Sequence, residues 1–250
     1  MWTATELAYE ARPLGGTPWR IVEDQYHAST LKLAKTAEDQ AILEQILEDS
    51  KPAYPLDTEH LHYLLKTPFR YRPAYPYGSR FRRAAQAQGV FYASRDKRTA
   101  LAETAYYRLR FFAASHHTPW PSCEHRLTAF SVRFRTDRGL DLTTGALARD
   151  RALWTHPSDY TATQALADCA RDAGIETIRY LSVRDPKQQL NVALMTPSVF
   201  ILPQPVRQES WLMYIGSTEV TCYQPGTPPR QGIRFAVEDL DRSDAQKSPT

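Results

Sequence analysis

The sequence has only three cysteines in 250 residues, Cys123, Cys169 and Cys222. They are widely spaced and odd in number, which argues against a disulfide framework and for reduced thiols in a cytoplasm. No apolar run approaches the ~20 residues that span a bilayer, so no membrane association is expected. The first residues, Met1-Trp2-Thr3-Ala4-Thr5-Glu6, lack a basic stretch followed by an apolar core. No secretory signal is visible there, and a cytoplasmic location is expected. There is no Walker-type or Gly-x-Gly-x-x-Gly phosphate loop, no Gly-x-Ser-x-Gly elbow and no internal repeat. The net charge of +3 is too small to imply nucleic-acid binding by itself.

What is present is an ordinary globular balance, 42% hydrophobic and 24% charged, which suits one large domain. The charge is unevenly placed. Residues 36–50 carry Glu38, Asp39, Glu44, Glu48 and Asp49, whereas residues 66–83 carry Lys66 and five arginines with no acid. Those arginines, Arg70, Arg72, Arg80, Arg82 and Arg83, alternate with Tyr71, Tyr75, Tyr77 and Phe81. Arginine binds phosphate in bidentate fashion and tyrosine stacks on flat rings, so the segment suits a small anionic ligand or one acidic partner face.

Residues 1–18 lack periodicity and contain Pro13, Gly15, Gly16 and Pro18, which reads as a flexible arm. Trp19-Arg20-Ile21-Val22 reads as the first strand. Thr36 is the expected N-cap of a helix over about 37–50, with Ile42, Leu43, Ile46 and Leu47 on one face. A short helix over 58–66 is expected to end at Pro68. Gly89-Val-Phe-Tyr-Ala-Ser94 reads as a buried strand feeding a helix over 99–114, whose apolar face includes Leu101, Ala105 and Leu109. Leu127–Arg135 alternates as a half-buried strand. A helix over 159–173 stops at Gly174. Short strands follow at 177–181, 190–195 and 199–202, then a hairpin around Gly216-Ser217 and an edge strand over 232–237. Strands and helices do not alternate strictly. The expected class is therefore α+β, with a twisted, mostly antiparallel or split sheet and flanking helices. The domain is expected over 19–238, with a helical insertion at about 36–66 and a disordered tail over 239–250.

Several motifs recur in one order: Trp19-Arg20-Ile21, Gly78-Ser-Arg80-Phe81, Gly89-Val-Phe-Tyr92-Ala-Ser94, Ala100-Leu-Ala-Glu103, Arg179-Tyr-Leu-Ser182-Val-Arg184-Asp185-Pro186 and Asn191-Val192-Ala193. This order resembles the RES domain, a family named for an arginine, a glutamate and a serine. The resemblance implies a fold like that of the ADP-ribosyltransferases. It implies the toxin of a bacterial toxin–antitoxin pair that consumes NAD as its substrate, with no metal, or transfers ADP-ribose to a protein target. It also implies an Xre-like helix-turn-helix antitoxin as partner, with nucleic acid expected only through that antitoxin. Leu181 stands where the family pattern has a proline before the serine.

On that resemblance Glu103 stabilises the ribosyl cation formed when the nicotinamide–ribose bond breaks. Its bland alternative is a first-turn glutamate that favours the helix dipole. Tyr92 stacks on nicotinamide or adenine; its alternative is a core tyrosine. Arg80 best matches the family arginine and holds the pyrophosphate, helped by Arg20 or Arg72, with Arg82 as a rival. Five arginines within 70–83 cannot all touch one pyrophosphate. Ser182 orients a ribose or phosphate oxygen, or else merely begins a turn. Arg184 and Asn191 complete the expected binding set. His116, His117, Cys123 and His125 lack metal-ligand spacing and read as a surface group. A rival reading is a binding module that grips RNA or an acidic protein through residues 66–83, with Glu103 structural. The acceptor of ADP-ribose, the cellular target, the oligomeric state and the antitoxin's docking mode are left open.

Overall fold

The computed structural model describes residues 2–24, 36–72, 76, 78–115 and 118–241. Ten strands form one mixed but mostly antiparallel sheet in the order β1-β5-β6-β7-β3-β2-β4-β8-β9-β10. Among the described residues only β5 (Phe134–Asp141) and β6 (Thr177–Leu181) pair in parallel. The α+β class with a largely antiparallel sheet is therefore the observed one.

The sheet is split, and its connections show how. β1 (Arg12–Gly16) and β2 (Trp19–Glu23) are joined by Thr17-Pro18 alone, yet they stand five positions apart in the order. Five strand spacings measure about 24 Å, and three Cα steps reach about 11 Å at most. A flat sheet cannot be connected that way. The sheet instead curls, so that β1 and β2 are two halves of one broken strand. The same holds for β4 (His125–Ser131) and β5, broken at Val132-Arg133. The breaks lie side by side, with Val132 N–H donating to Pro18 O at 3.1 Å. The single strand expected over 127–135 is thus two strands serving different parts of the sheet.

Helices cover the two halves separately. α4 (Lys97–Ala114) packs Leu101, Ala105 and Leu109 against β4, β8 (Arg207–Ile215), β9 (Glu219–Tyr223) and β10 (Ile233–Ala236). α6 (Thr161–Asp172) and α1 (Ala4–Tyr9) cover Leu140, Ile178 and Ala193 of the other half. A third cluster, including Phe91, Phe130, Val192 and Leu194, fills the inner side of the curl. The strip between α4 and α6 is left open above β3 (Phe91–Ser94), β6 and β7 (Leu190–Leu194).

Some expectations are corrected. Residues 1–18 are not a loose arm. Thr3 and Glu6 form a reciprocal capping box on α1, Leu7 is fully buried, and Trp2 Nε1 donates to Asp150 at 2.8 Å. β1 is an edge strand, where Pro13 removes no needed ladder bond. Pro68 lies inside α3 (Tyr63–Arg70) rather than ending a helix before it. α4 starts at Lys97 rather than at the expected Thr99, because Asp96 caps it; Asp96 Oδ1 accepts Thr99 N–H at 2.9 Å. The inserted α2 (Ala37–Asp49) forms as expected but buries no residue. Asp239 and Leu240 belong to α7 (Val237–Asp241), and the expected tail over 242–250 lies outside the described residues. Among the described residues no helix is long and apolar enough to cross a membrane.

Candidate active site

The open strip forms a cleft of about 440 Å³, within the usual range for small-molecule sites. α4 projects Glu103 into it from one wall. β7 supplies Asn191, and the turn after β6 supplies Arg184. Glu103 Oε1 accepts two hydrogen bonds of 2.7 Å each, one from Ser182 Oγ and one from Asn191 Nδ2. Among the described residues no hydrogen bond reaches Oε2. A carboxylate only accepts, so the amide nitrogen of Asn191 must face it and Oδ1 must turn away. Asn191 Oδ1 is buried and has no partner among the described residues.

Ser182 is itself 1% exposed and sits behind Glu103 rather than in the cleft. Its Oγ accepts the N–H groups of Arg184 at 3.3 Å and Asp185 at 3.0 Å. Asp185 Oδ2 lies 2.8 Å from the Thr99 hydroxyl at the start of α4. The Ser182–Asp185 turn is thereby tied to α4 at both Thr99 and Glu103.

Tyr92 lines the cleft on β3, but its hydroxyl points into the wall. It lies 2.8 Å from Ser79 Oγ and accepts Phe81 N–H at 3.1 Å. Burial raises its pKa, so the phenol stays protonated. Arg20 crosses behind it, donating to Tyr92 O at 2.6 Å, with its guanidinium 5.1 Å from the Phe91 ring centre. Burial lowers the Arg20 pKa to about 10, which leaves full charge at neutral pH. Arg20 Nε has no partner among the described residues.

The five arginines of 70–83 are used differently from one another. Arg80 lines the cleft and is 7% exposed, donating to Trp154 O at 2.8 Å and His156 O at 3.0 Å, beneath Tyr160. Arg82 is buried on the carbonyls of Gln86 and Ala87 and is not part of the cleft lining. Arg70 pairs with Glu48 at 2.6 Å, and Arg83 pairs with Asp168 at 2.6 Å. Arg72 is exposed beyond α3 and away from the cleft lining. Arg184 lies 3.7 Å above the Tyr106 ring centre and donates to Pro157 O. The expected set of Glu103, Arg20, Arg80, Tyr92, Arg184 and Asn191 thus meets at one cleft, with Ser182 behind it; Arg72 and Arg82 stand apart.

Three further tyrosines line the cleft; Tyr107 and Tyr160 carried no motif in the sequence, and Tyr180 stood within the Arg179–Pro186 motif without an assigned role. Tyr180 is buried on β6, Tyr160 covers Arg80, and Tyr107 lies more than half exposed at the rim, one turn along α4 from Glu103. Burial and the nearby Glu103 charge raise the pKa of Tyr180. No group of three metal-ligating side chains occurs among the described residues. His116 and His117 lie outside them, and Cys123 is exposed.

The RES domain family model matches residues 53–213, about two thirds of the chain. This protein belongs to the RES domain family. The match includes α4, β6, β7 and the Ser182 turn. It excludes β2, so Arg20 enters the cleft from outside the matched region. One chain of the M. tuberculosis MbcT–MbcA toxin–antitoxin complex is similar over 83% of this chain and 90% of that one, at 13% identity and a TM-score of 0.48. No curated protein matches the sequence.

Proposed function

We propose that this RES protein is a toxin that cleaves NAD at the nicotinamide–ribose bond. The observation that carries the reading is the Glu103 carboxylate, clamped on Oε1 by Ser182 and Asn191 while Oε2 faces a cleft rimmed by arginines. Breaking the C1′–N1 bond sends its electron pair out with nicotinamide and leaves positive charge on the ribose. A fixed carboxylate stabilises that charge without reorganising. Asn191 acts through Glu103, because its Nδ2 holds Oε1 while its Oδ1 is buried. Arg20 and Arg184, with the remaining donors of Arg80, suit the pyrophosphate. Tyr92 offers its ring in the wall of the cleft for stacking. The acceptor that attacks C1′ is water, phosphate or a protein side chain.

A toxin of this kind harms its own host, so the reading includes a cognate antitoxin of the Xre-like helix-turn-helix type, acting in the cytoplasm. The rival reading, RNA or acidic-protein binding through 66–83, loses its basis. Four of the five arginines there are engaged by the protein's own carboxylates and carbonyls.

The test is NAD loss by purified Glu103→Gln against wild type. The amide oxygen still accepts from Ser182 and Asn191, so the fold survives while the charge is removed. A fall of at least about a hundredfold is expected. Undiminished turnover with an unchanged circular dichroism spectrum overturns the reading.

A further inference from the structure

A second cavity, of about 400 Å³, opens where the sheet splits. Its wall is the Gly15–Pro18 segment that carries the chain from β1 to β2. Its floor is Phe134 of β5 with Leu190 and Val192 of β7, and Arg95 and Arg179 reach it from the sides. Successive strand residues face opposite ways. Leu190 and Val192 therefore lie on the reverse of the face that carries Asn191, and Arg179 on the reverse of Tyr180. The cavity and the active-site cleft use opposite faces of the same two strands.

The charge of this cavity is unbalanced. Among the described residues no carboxylate belongs to its lining. Arg179 makes one side-chain bond, to Asp141 Oδ2 at 3.3 Å, and the other oxygen of Asp141 is occupied by Thr143. A guanidinium has five N–H donors, so most of those on Arg179 remain open. Arg95 is exposed and has no side-chain hydrogen bond among the described residues; only its backbone is held, through Leu190 O at 2.8 Å. Asp141 offsets the charge of Arg179, whereas no carboxylate among the described residues offsets that of Arg95.

We propose that this cavity binds a small molecule in which a ring or short apolar body carries one oxyanion, either a phosphate monoester or a carboxylate. The oxyanion is held by Arg95 and Arg179 in the manner of a two-pronged clamp. The apolar body lies on Phe134, Leu190 and Val192. The volume is in the range of ordinary small-molecule sites. The site is independent of NAD cleavage, because no residue of the Glu103 cleft belongs to it.

The test is calorimetric titration of the full chain with phenyl phosphate and, separately, with benzoate. Saturable binding of either probe by the wild type is expected, and the stronger of the two identifies the oxyanion. R95A should weaken that probe at least tenfold. R179K, which keeps the charge beside Asp141 but loses the planar fork, should weaken it similarly. E103Q should bind as wild type, and excess NAD should not displace the probe. Absence of saturable binding, wild-type affinity in R95A, or displacement by NAD overturns the proposal. Binding needs no turnover, so a protein that fails to consume NAD but binds the probe leaves this site standing.

Discussion

Ser182 Oγ donates a 2.7 Å hydrogen bond to Glu103 Oε1, joining a turn after β6 to the second turn of α4 across 79 positions of sequence. The same oxygen accepts the Arg184 and Asp185 N–H groups, so it holds the turn and the carboxylate in one register. Ser182 is therefore a positioning residue, acting through Glu103. In Ser182→Ala the carboxylate keeps only Asn191 and becomes free to rotate. We expect kcat for NAD loss to fall about tenfold to a hundredfold with KM little changed, because the loss falls on the transition state. Stability should fall by about 1–3 kcal/mol, since two buried N–H groups lose their acceptor. Steady-state kinetics and a denaturant melt check both; a rise in KM at constant kcat contradicts the positioning role.

Tyr92→Phe is expected to cost stability before activity. The hydroxyl is a wall bond to Ser79 and Phe81, and removing it leaves the Phe81 N–H without its acceptor. A loss of about 1–3 kcal/mol follows, with turnover within a few-fold of wild type. Tyr92→Ala also removes the ring from the cleft and should lose turnover as well. A Tyr92→Phe protein that melts like wild type but is inactive shows that the hydroxyl acts in the reaction instead.

The thiols give an independent check on the packing of the C-terminal strands. Cys222 is fully buried in β9, and burial pushes its pKa to about 12. At pH 8 it stays protonated and unreactive, whereas Cys123 is exposed. Alkylation by iodoacetamide at pH 8 should modify Cys123 in the native protein and Cys222 only after unfolding, as read by peptide mass. Rapid native modification of Cys222 means that β8, β9 and β10 do not pack on α4 as described.

The parts of this arrangement that were legible in the sequence are those with long periodicity or a dense motif. α4 showed its apolar face, and the Ser182–Asp185 turn and Asn191 stood out together. α1 was hidden because six residues bury one leucine, too few to make a pattern, although Thr3 and Glu6 spell a capping box. The break at Val132-Arg133 was hidden because the alternating sequence pattern of 127–135 runs through it, while the partners change and residues 129–132 are all buried. The run of arginines misled in a different way. Sequence shows charge but not the carbonyls of Trp154, His156, Gln86 and Ala87 that absorb it. Tyr107 and Tyr160 carry no local signal, since only the tertiary fold brings them to the cleft.

The last prediction concerns the inhibitor. If an antitoxin silences this protein by covering the cleft, its contacts fall on the rim. Arg80 is a poor probe of that, because its guanidinium holds the Trp154 and His156 carbonyls and charge reversal there disturbs the wall itself. Tyr107 is better placed, being more than half exposed at the rim. The acidic face of α2 is the natural comparison, but Glu48 must be spared because it anchors Arg70 at 2.6 Å. Glu44 is exposed and remains suitable. Tyr107→Asp should reduce co-purification with the proposed cognate antitoxin at least tenfold, by replacing an apolar contact with a charge that must be desolvated. Glu44→Lys should leave the yield unchanged. The reverse result, retention by Tyr107→Asp and loss by Glu44→Lys, places the inhibitor on the inserted helix, so that inhibition reaches Glu103 from a distance rather than by occupation of the cleft.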